Sequence, residues 1–293
     1  MKVILHAGVH CTDNDRLVKG LLRNADLLRQ HGVAVPGPGR YRTLLTEVVN
    51  ELDGASPAPG ARDVVLDEIL FDDPESVSRL VLSHENFFCV PKLMFGGRKI
   101  YRKAEGRIKC LSQLFDGDDI ELFLALRDPA SFLPAAFSST PLTEFGEFMD
   151  GVDPAHLRWS DFVGRVREAV PEVKITAWCN EDIPLIWGSV LRAMAGLPDE
   201  TKIVGAFDML SEVMAPEGMR RFRAYLGEHP TINEIQKRRV MVAFLSKYGM
   251  VEAVEEELDL PGWTVEYVEA LTQAYDADVA NLSGIEGVQM ILP

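Results

Sequence analysis

The four cysteines of this 293-residue chain, Cys11, Cys89, Cys110 and Cys179, form no CxxC pair and have no histidine pair beside them. That scatter argues against a structural zinc site and predicts a metal-free protein in a reduced, cytoplasmic setting. Cations are also scarce: 30 Lys and Arg face 45 Asp and Glu, for a net charge of −15. Nucleic acid is a poor default partner for such a chain, because phosphate backbones are bound mainly through Lys and Arg. The surplus acid is expected to serve solubility. No apolar run approaches the roughly 18 residues of a membrane span. Met1-Lys2 leads straight into a strand with no signal-peptide pattern. Internal repeats and low-complexity tracts are absent too. What remains is ordinary globular material, 47% hydrophobic and 26% charged, long enough to bury a large core.

Apolar runs of strand length occur at Val3–Leu5, Val77–Ser83, Ile120–Leu126 and Val173–Trp178. Helical periodicity separates them: Leu17–Leu28, Tyr41–Leu52, a short helix over Arg62–Phe71, then Asp161–Val170 and Asp182–Ala195. Buried strands alternating with helices predict a parallel sheet covered on both faces, joined by right-handed crossovers. Pro36-Gly37-Pro38-Gly39 and Ser56–Gly60 read as loops, and Gly96-Gly97-Arg98-Lys99 as a tight hairpin-like turn. Beyond Gly205 the strand signal fades, and Thr231–Tyr248 and Val265–Leu282 carry helical stripes. The expectation is one α/β domain over 1–293, whose part 205–293 is mainly helical and packs on the sheet. Trp159, Trp178, Trp187 and Trp263 are expected in the core or at an interface, and the run Glu252–Asp259 on a solvated face.

The first strand breaks at His6-Ala7-Gly8-Val9-His10-Cys11-Thr12-Asp13-Asn14-Asp15-Arg16 and a helix follows at once. A strand, a Gly-containing loop and a helix form the frame in which many α/β proteins hold a phosphate. The text does not match GxxxxGK[ST], which excludes an ordinary nucleotide triphosphatase. Arg16 stands one residue short of the C-x5-R spacing of a cysteine phosphatase loop. Two further segments close strands where α/β proteins bind ligands. Ser83-His84-Glu85-Asn86 follows the second run, and Arg127-Asp128-Pro129 follows the third, with Pro129 opening a helix at no hydrogen-bond cost.

Together these segments resemble the sulfotransferase family, in particular bacterial sulfotransferase-like proteins. His6-Ala7-Gly8-Val9-His10-Cys11-Thr12, followed by Leu21-Leu22-Arg23-Asn24 and Leu28-Arg29-Gln30-His31-Gly32-Val33, is similar to the family's opening strand, donor loop and first helix. The resemblance implies a P-loop-type three-layer sandwich and the donor 3′-phosphoadenosine 5′-phosphosulfate. It puts Gly8, His10, Thr12, Arg127 and Ser138 at the donor, Arg127 gripping its 3′-phosphate through the guanidinium fork. His84 or Glu85 is the candidate base that takes a proton from an acceptor hydroxyl or amine. The acceptor is expected to be a small molecule or a saccharide, and homo-oligomers are compatible with the class.

The chain departs from the family at the cations. Cys11 stands where the family carries a lysine, Asp13 and Asp15 follow it, and Ala135 replaces a serine, although Ser131, Ser138 and Ser139 are near. Two like charges ~5 Å apart at an effective dielectric of ~20 repel by about 3 kcal/mol, roughly a hundredfold in affinity. Either aspartate is also able to cap the helix and fill the anion site from within. Two readings stay open: sulfuryl transfer, and a non-catalytic relative that serves as a ligand-binding or scaffolding module.

Overall fold

The computed structural model describes residues 1–71, 73–253 and 260–293; most of the acidic run 252–259 therefore lies outside the described residues. The first half contains β1 (Lys2–His6), α1 (Arg16–Leu22), α2 (Ala25–Gln30), β2 (Val33–Ala34), α3 (Arg42–Leu52), α4 (Ala61–Ile69) and β3 (Arg79–Ser83). A small antiparallel hairpin, β4 (Phe95–Gly96) and β5 (Lys99–Ile100), forms around the expected turn. It leads to α5 (Ala104–Leu114), β6 (Asp119–Leu126), α6 (Pro129–Ser138), α7 (Phe145–Met149), α8 (Trp159–Ala169), β7 (Lys174–Cys179) and α9 (Ile183–Ala195). The last part holds α10 (Asp208–Val213), α11 (Pro216–Glu228), α12 (Glu234–Tyr248), α13 (Val265–Leu282) and β8 (Val288–Met290).

Six strands form one parallel sheet in the order β2-β3-β1-β6-β7-β8. Successive side chains of each strand leave on opposite faces. Val3, Leu5, Leu80, Leu82, Leu122 and Leu124 pack under α3, α5, α8 and their neighbours. Ile4, Val81, Phe123, Ala125 and Trp178 face α1 and α9 on the other side. The expected three layers follow directly, because strands buried on both faces need helices on both faces.

Three local outcomes differ from the periodicity. The helix expected over Leu17–Leu28 is two helices, broken at Arg23-Asn24. The Asn24 side chain exchanges hydrogen bonds with the backbone of Val204, at 2.7 and 3.1 Å, which ties α1 and α2 to a distant connection. Helices α5 and α11 form where no stripe stood out. The C-terminal part is mainly helical, but β8 returns to the sheet and pairs with β7 from Val288 to Met290. Three residues are too few to show a period; β7's open edge supplies the order. Helices α10, α11 and α12 also build a small core of their own around Leu210, Met214, Met219, Phe222 and Met241. Among the described residues no helix is long and apolar enough to cross a membrane.

Candidate functional site

From β1 the chain turns to β2 and β3 on one side of the sheet; from β6 it turns to β7 and β8 on the other. β1 and β6 are neighbours, so the crevice above their carboxyl ends is the topological switch point where open α/β sheets bind ligands. The loop after β1, the segment after β3 and Arg127 after β6 all converge there.

The loop's first residues remain part of the sheet. Val9 N–H donates to Ala125 O at 3.1 Å, and Ala125 N–H to Gly8 O at 2.8 Å. Gly8 sits at φ +98°, and a Cβ there would meet His10 N at 3.1 Å and the Glu85 backbone at 3.6 Å. Glycine is thus required both by the backbone turn and by the approach of the β3 loop. Thr12 Oγ1 donates to Val9 O at 2.7 Å and closes the loop on itself.

The acidic residues that follow are used internally. Asp13, buried, accepts from Leu17 N–H at 3.1 Å and so caps α1, as its position in the sequence suggested. Asp15, at φ +65°, pairs with Arg42 of α3 at 2.5 Å, and the hydrogen bond to that guanidinium holds its carboxyl below the usual carboxylate range. Arg42 Nε also donates to Ser83 O at 2.8 Å, joining the β1 loop to the end of β3. Tyr41 reinforces the joint by accepting from Ser83 N–H and donating to Ser83 O, both at 2.8 Å. Arg16 turns away from the loop toward Glu212 of α10, at 2.7 Å.

His10 is buried beneath the loop. Its Nε2 lies 3.0 Å from Cys89 O and 3.1 Å from Asn86 Oδ1, so this nitrogen carries the hydrogen, and Nδ1 accepts from the Tyr101 hydroxyl at 2.8 Å. Burial lowers its pKa, and the ring serves as a neutral brace. His6 is likewise buried and shifted down by burial; its Nδ1 meets Ser83 Oγ at 3.0 Å and its ring stacks on Trp178. Cys11 has its thiol pushed up by burial, against a hydrogen bond with Ser139, the opposite of what a nucleophilic cysteine needs.

The two candidate bases have different surroundings. Thr46 Oγ1 donates to Arg42 O at 2.8 Å, so at 2.9 Å it accepts from His84 Nε2. The His84 lone pair is then on Nδ1, which is buried and has no hydrogen-bond partner. Burial, helped by the charges of Arg42 and Arg107, lowers this histidine to about 4. Glu85 is half-buried at the crevice wall, and its carboxylate makes no hydrogen bond or ion pair among the described residues. Burial first, then Asp13 and Asp15, pushes its pKa up, the direction a general base near neutrality requires.

Arg127 closes the crevice on the β6 side. Nη1 donates to Cys11 O at 2.5 Å and Nε to Ser131 Oγ at 3.0 Å, while Trp159 Nε1 donates to Arg127 O at 2.9 Å. Asp128 caps α6 through Ala130 N–H at 2.9 Å and accepts from Thr272 of α13 at 2.6 Å. Ser138 is exposed and donates back to Pro134 O at 2.7 Å and Ala135 O at 3.1 Å. The crevice thus brings together Gly8, His10, Thr12, Glu85 and Arg127, with His84 behind the wall. Arg42 and Tyr101 are the functional neighbours that sequence reasoning missed; each is more than 25 residues from the group it holds, and no local pattern marks it. No group of three or more His, Cys, Asp or Glu among the described residues has metal-site geometry.

The chain matches no protein-family model, no curated protein and no solved structure.

Proposed function

We propose that this is a sulfotransferase-like protein of the non-catalytic kind, a module that binds or scaffolds at its switch-point crevice without transferring a sulfuryl group. One observation carries the reading: the loop that would cradle the donor is filled by its own carboxylates. Asp13 occupies the start of α1, Asp15 takes the Arg42 guanidinium, and Cys11 stands where transfer needs a cation against the charge that develops on the leaving phosphate. These residues do not fit 3′-phosphoadenosine 5′-phosphosulfate, a polyanion. Glu85 keeps the second reading, transfer to a hydroxyl or amine acceptor, within reach of experiment, because it is an uncommitted carboxylate with a raised pKa at the crevice.

The test is a thermal melt of the purified chain with 3′-phosphoadenosine 5′-phosphate. A ligand at 100 times its Kd adds about 2.7 kcal/mol of stability. The expected outcome is no shift of the melting temperature at millimolar nucleotide. A shift that Arg127→Ala abolishes, together with label transfer that Glu85→Gln abolishes, overturns the non-catalytic reading in favour of transfer.

A further inference from the structure

The helical cluster α10–α12 carries charge of the sign that the crevice lacks. Within a chain of net charge −15, α11 presents Arg220, Arg221 and Arg223, and α12 presents Lys237, Arg238, Arg239 and Lys247. Between α10 and the first turns of α11 lies a cleft of about 380 Å³, lined by Ser211, Met214, Pro216, Met219, Arg220 and Arg223. Positions 216, 219, 220 and 223 recur at helical spacing, so one stripe of α11 forms a whole wall. Phe222 points the other way, into the small core with Leu210 and Met241. Gly218 lets α12 come close behind that wall, since a Cβ there would collide with the Tyr248 side chain.

The two guanidinium groups on the cleft are uncompensated among the described residues. Arg220 and Arg223 are exposed and form no ion pair or hydrogen bond among the described residues. Neighbouring carboxylates are committed elsewhere: Glu212 to Arg16 and Glu217 to Arg221, each at 2.7 Å. The floor is apolar, with Met214 and Met219 both buried. Thioether side chains adapt to irregular apolar ligands, and the volume is in the range of small-molecule pockets. Among the described residues nothing aromatic lines the cleft, so it offers a nucleobase no stacking platform.

We propose that this cleft binds one amphipathic organic anion: a carboxylate, sulfate or phosphate headgroup between Arg220 and Arg223, with its apolar chain over Met214, Pro216 and Met219. The guanidinium forks match such headgroups bidentately, and withdrawing the ligand's own apolar chain from water onto this floor adds the hydrophobic contribution that a bare inorganic ion lacks. The headgroup chemistry is shared by a free amphiphile and by an anionic lipid in a bilayer.

Isothermal titration with octanoate, kept below its micellar concentration, tests the proposal. The expected result is saturable binding at one site, at least tenfold tighter than acetate at equal ionic strength. The Arg220→Ala/Arg223→Ala variant is expected to bind at least tenfold more weakly, with its melting temperature unchanged because both side chains are exposed. Equal binding of acetate and octanoate, binding at many sites, or an undiminished double variant overturns the proposal. Co-sedimentation with phosphatidylserine vesicles separates the sources. Sedimentation that octanoate competes away identifies a lipid headgroup, and octanoate binding without sedimentation identifies a free amphiphile. Sedimentation without octanoate binding overturns the cleft as the site.

Discussion

The crevice above β1 and β6 and the cleft between α10 and α11 treat charge in opposite ways. In the crevice, Asp13 and Asp15 are spent on a helix cap and an ion pair, and Arg127 leans on a loop carbonyl. In the cleft, Arg220 and Arg223 pair with no carboxylate among the described residues. The carboxylates of the switch-point loop are thus answered from within, whereas a peripheral helix keeps two cations that no described carboxylate answers. Topology locates a crevice; the side chains that line it decide whether a ligand of given charge is accepted.

The largest expected effect comes from restoring the missing sign. Cys11→Lys combined with Asp13→Ser, which retains a capping oxygen for α1, is expected to tighten binding of 3′-phosphoadenosine 5′-phosphate about a hundredfold, the size of the ~3 kcal/mol repulsion removed. Calorimetry measures it; no gain would mean that the loop's backbone, not its charge, sets the crevice apart. An effect of up to similar size belongs to His84. The unfolded chain takes up its proton below about 6.5 and the folded chain only below about 4, so protonation favours unfolding. Stability should fall by up to about 3 kcal/mol as pH drops through that window. His84→Asn should show a shallower loss in melts recorded across it, and an unaltered slope would assign the acid sensitivity to other groups such as His6. The smallest effect is at Asp15, whose side chain is about a third exposed. Its pKa is depressed in the folded state, so its contribution is present above the ordinary carboxylate range and disappears as pH falls through the folded value. Asp15→Asn should cost about 0–1 kcal/mol at pH 7 and nothing in strong acid; a larger, pH-independent loss would show that the loop's backbone depends on this residue.

Much of the sheet was legible because buried parallel strands leave long apolar runs: Ile120–Leu126 corresponds to β6 and Val173–Trp178 to β7, within a residue or two. The crevice was legible in part, through Gly8 and the Arg127-Asp128-Pro129 turn, which follow local rules of backbone and capping. The break between α1 and α2 was not, because Asn24 is drawn out of the helix by Val204, 180 residues away. Nor was the state of the histidines. His10 and His84 read as candidate donor-binding residue and base, and burial with particular partners makes His10 a neutral brace and leaves His84 with its lone pair enclosed.

By itself the sequence determined the layers of this protein and the sign of its loops, since periodicity dictates which faces are buried and composition dictates charge. Only the tertiary structure decided which charges are answered. An ion pair such as Asp15–Arg42, and the absence of one at Arg220 and Arg223 among the described residues, depend on which side chains the packed helices bring within a few ångströms. Electrostatic energy falls off over that same distance.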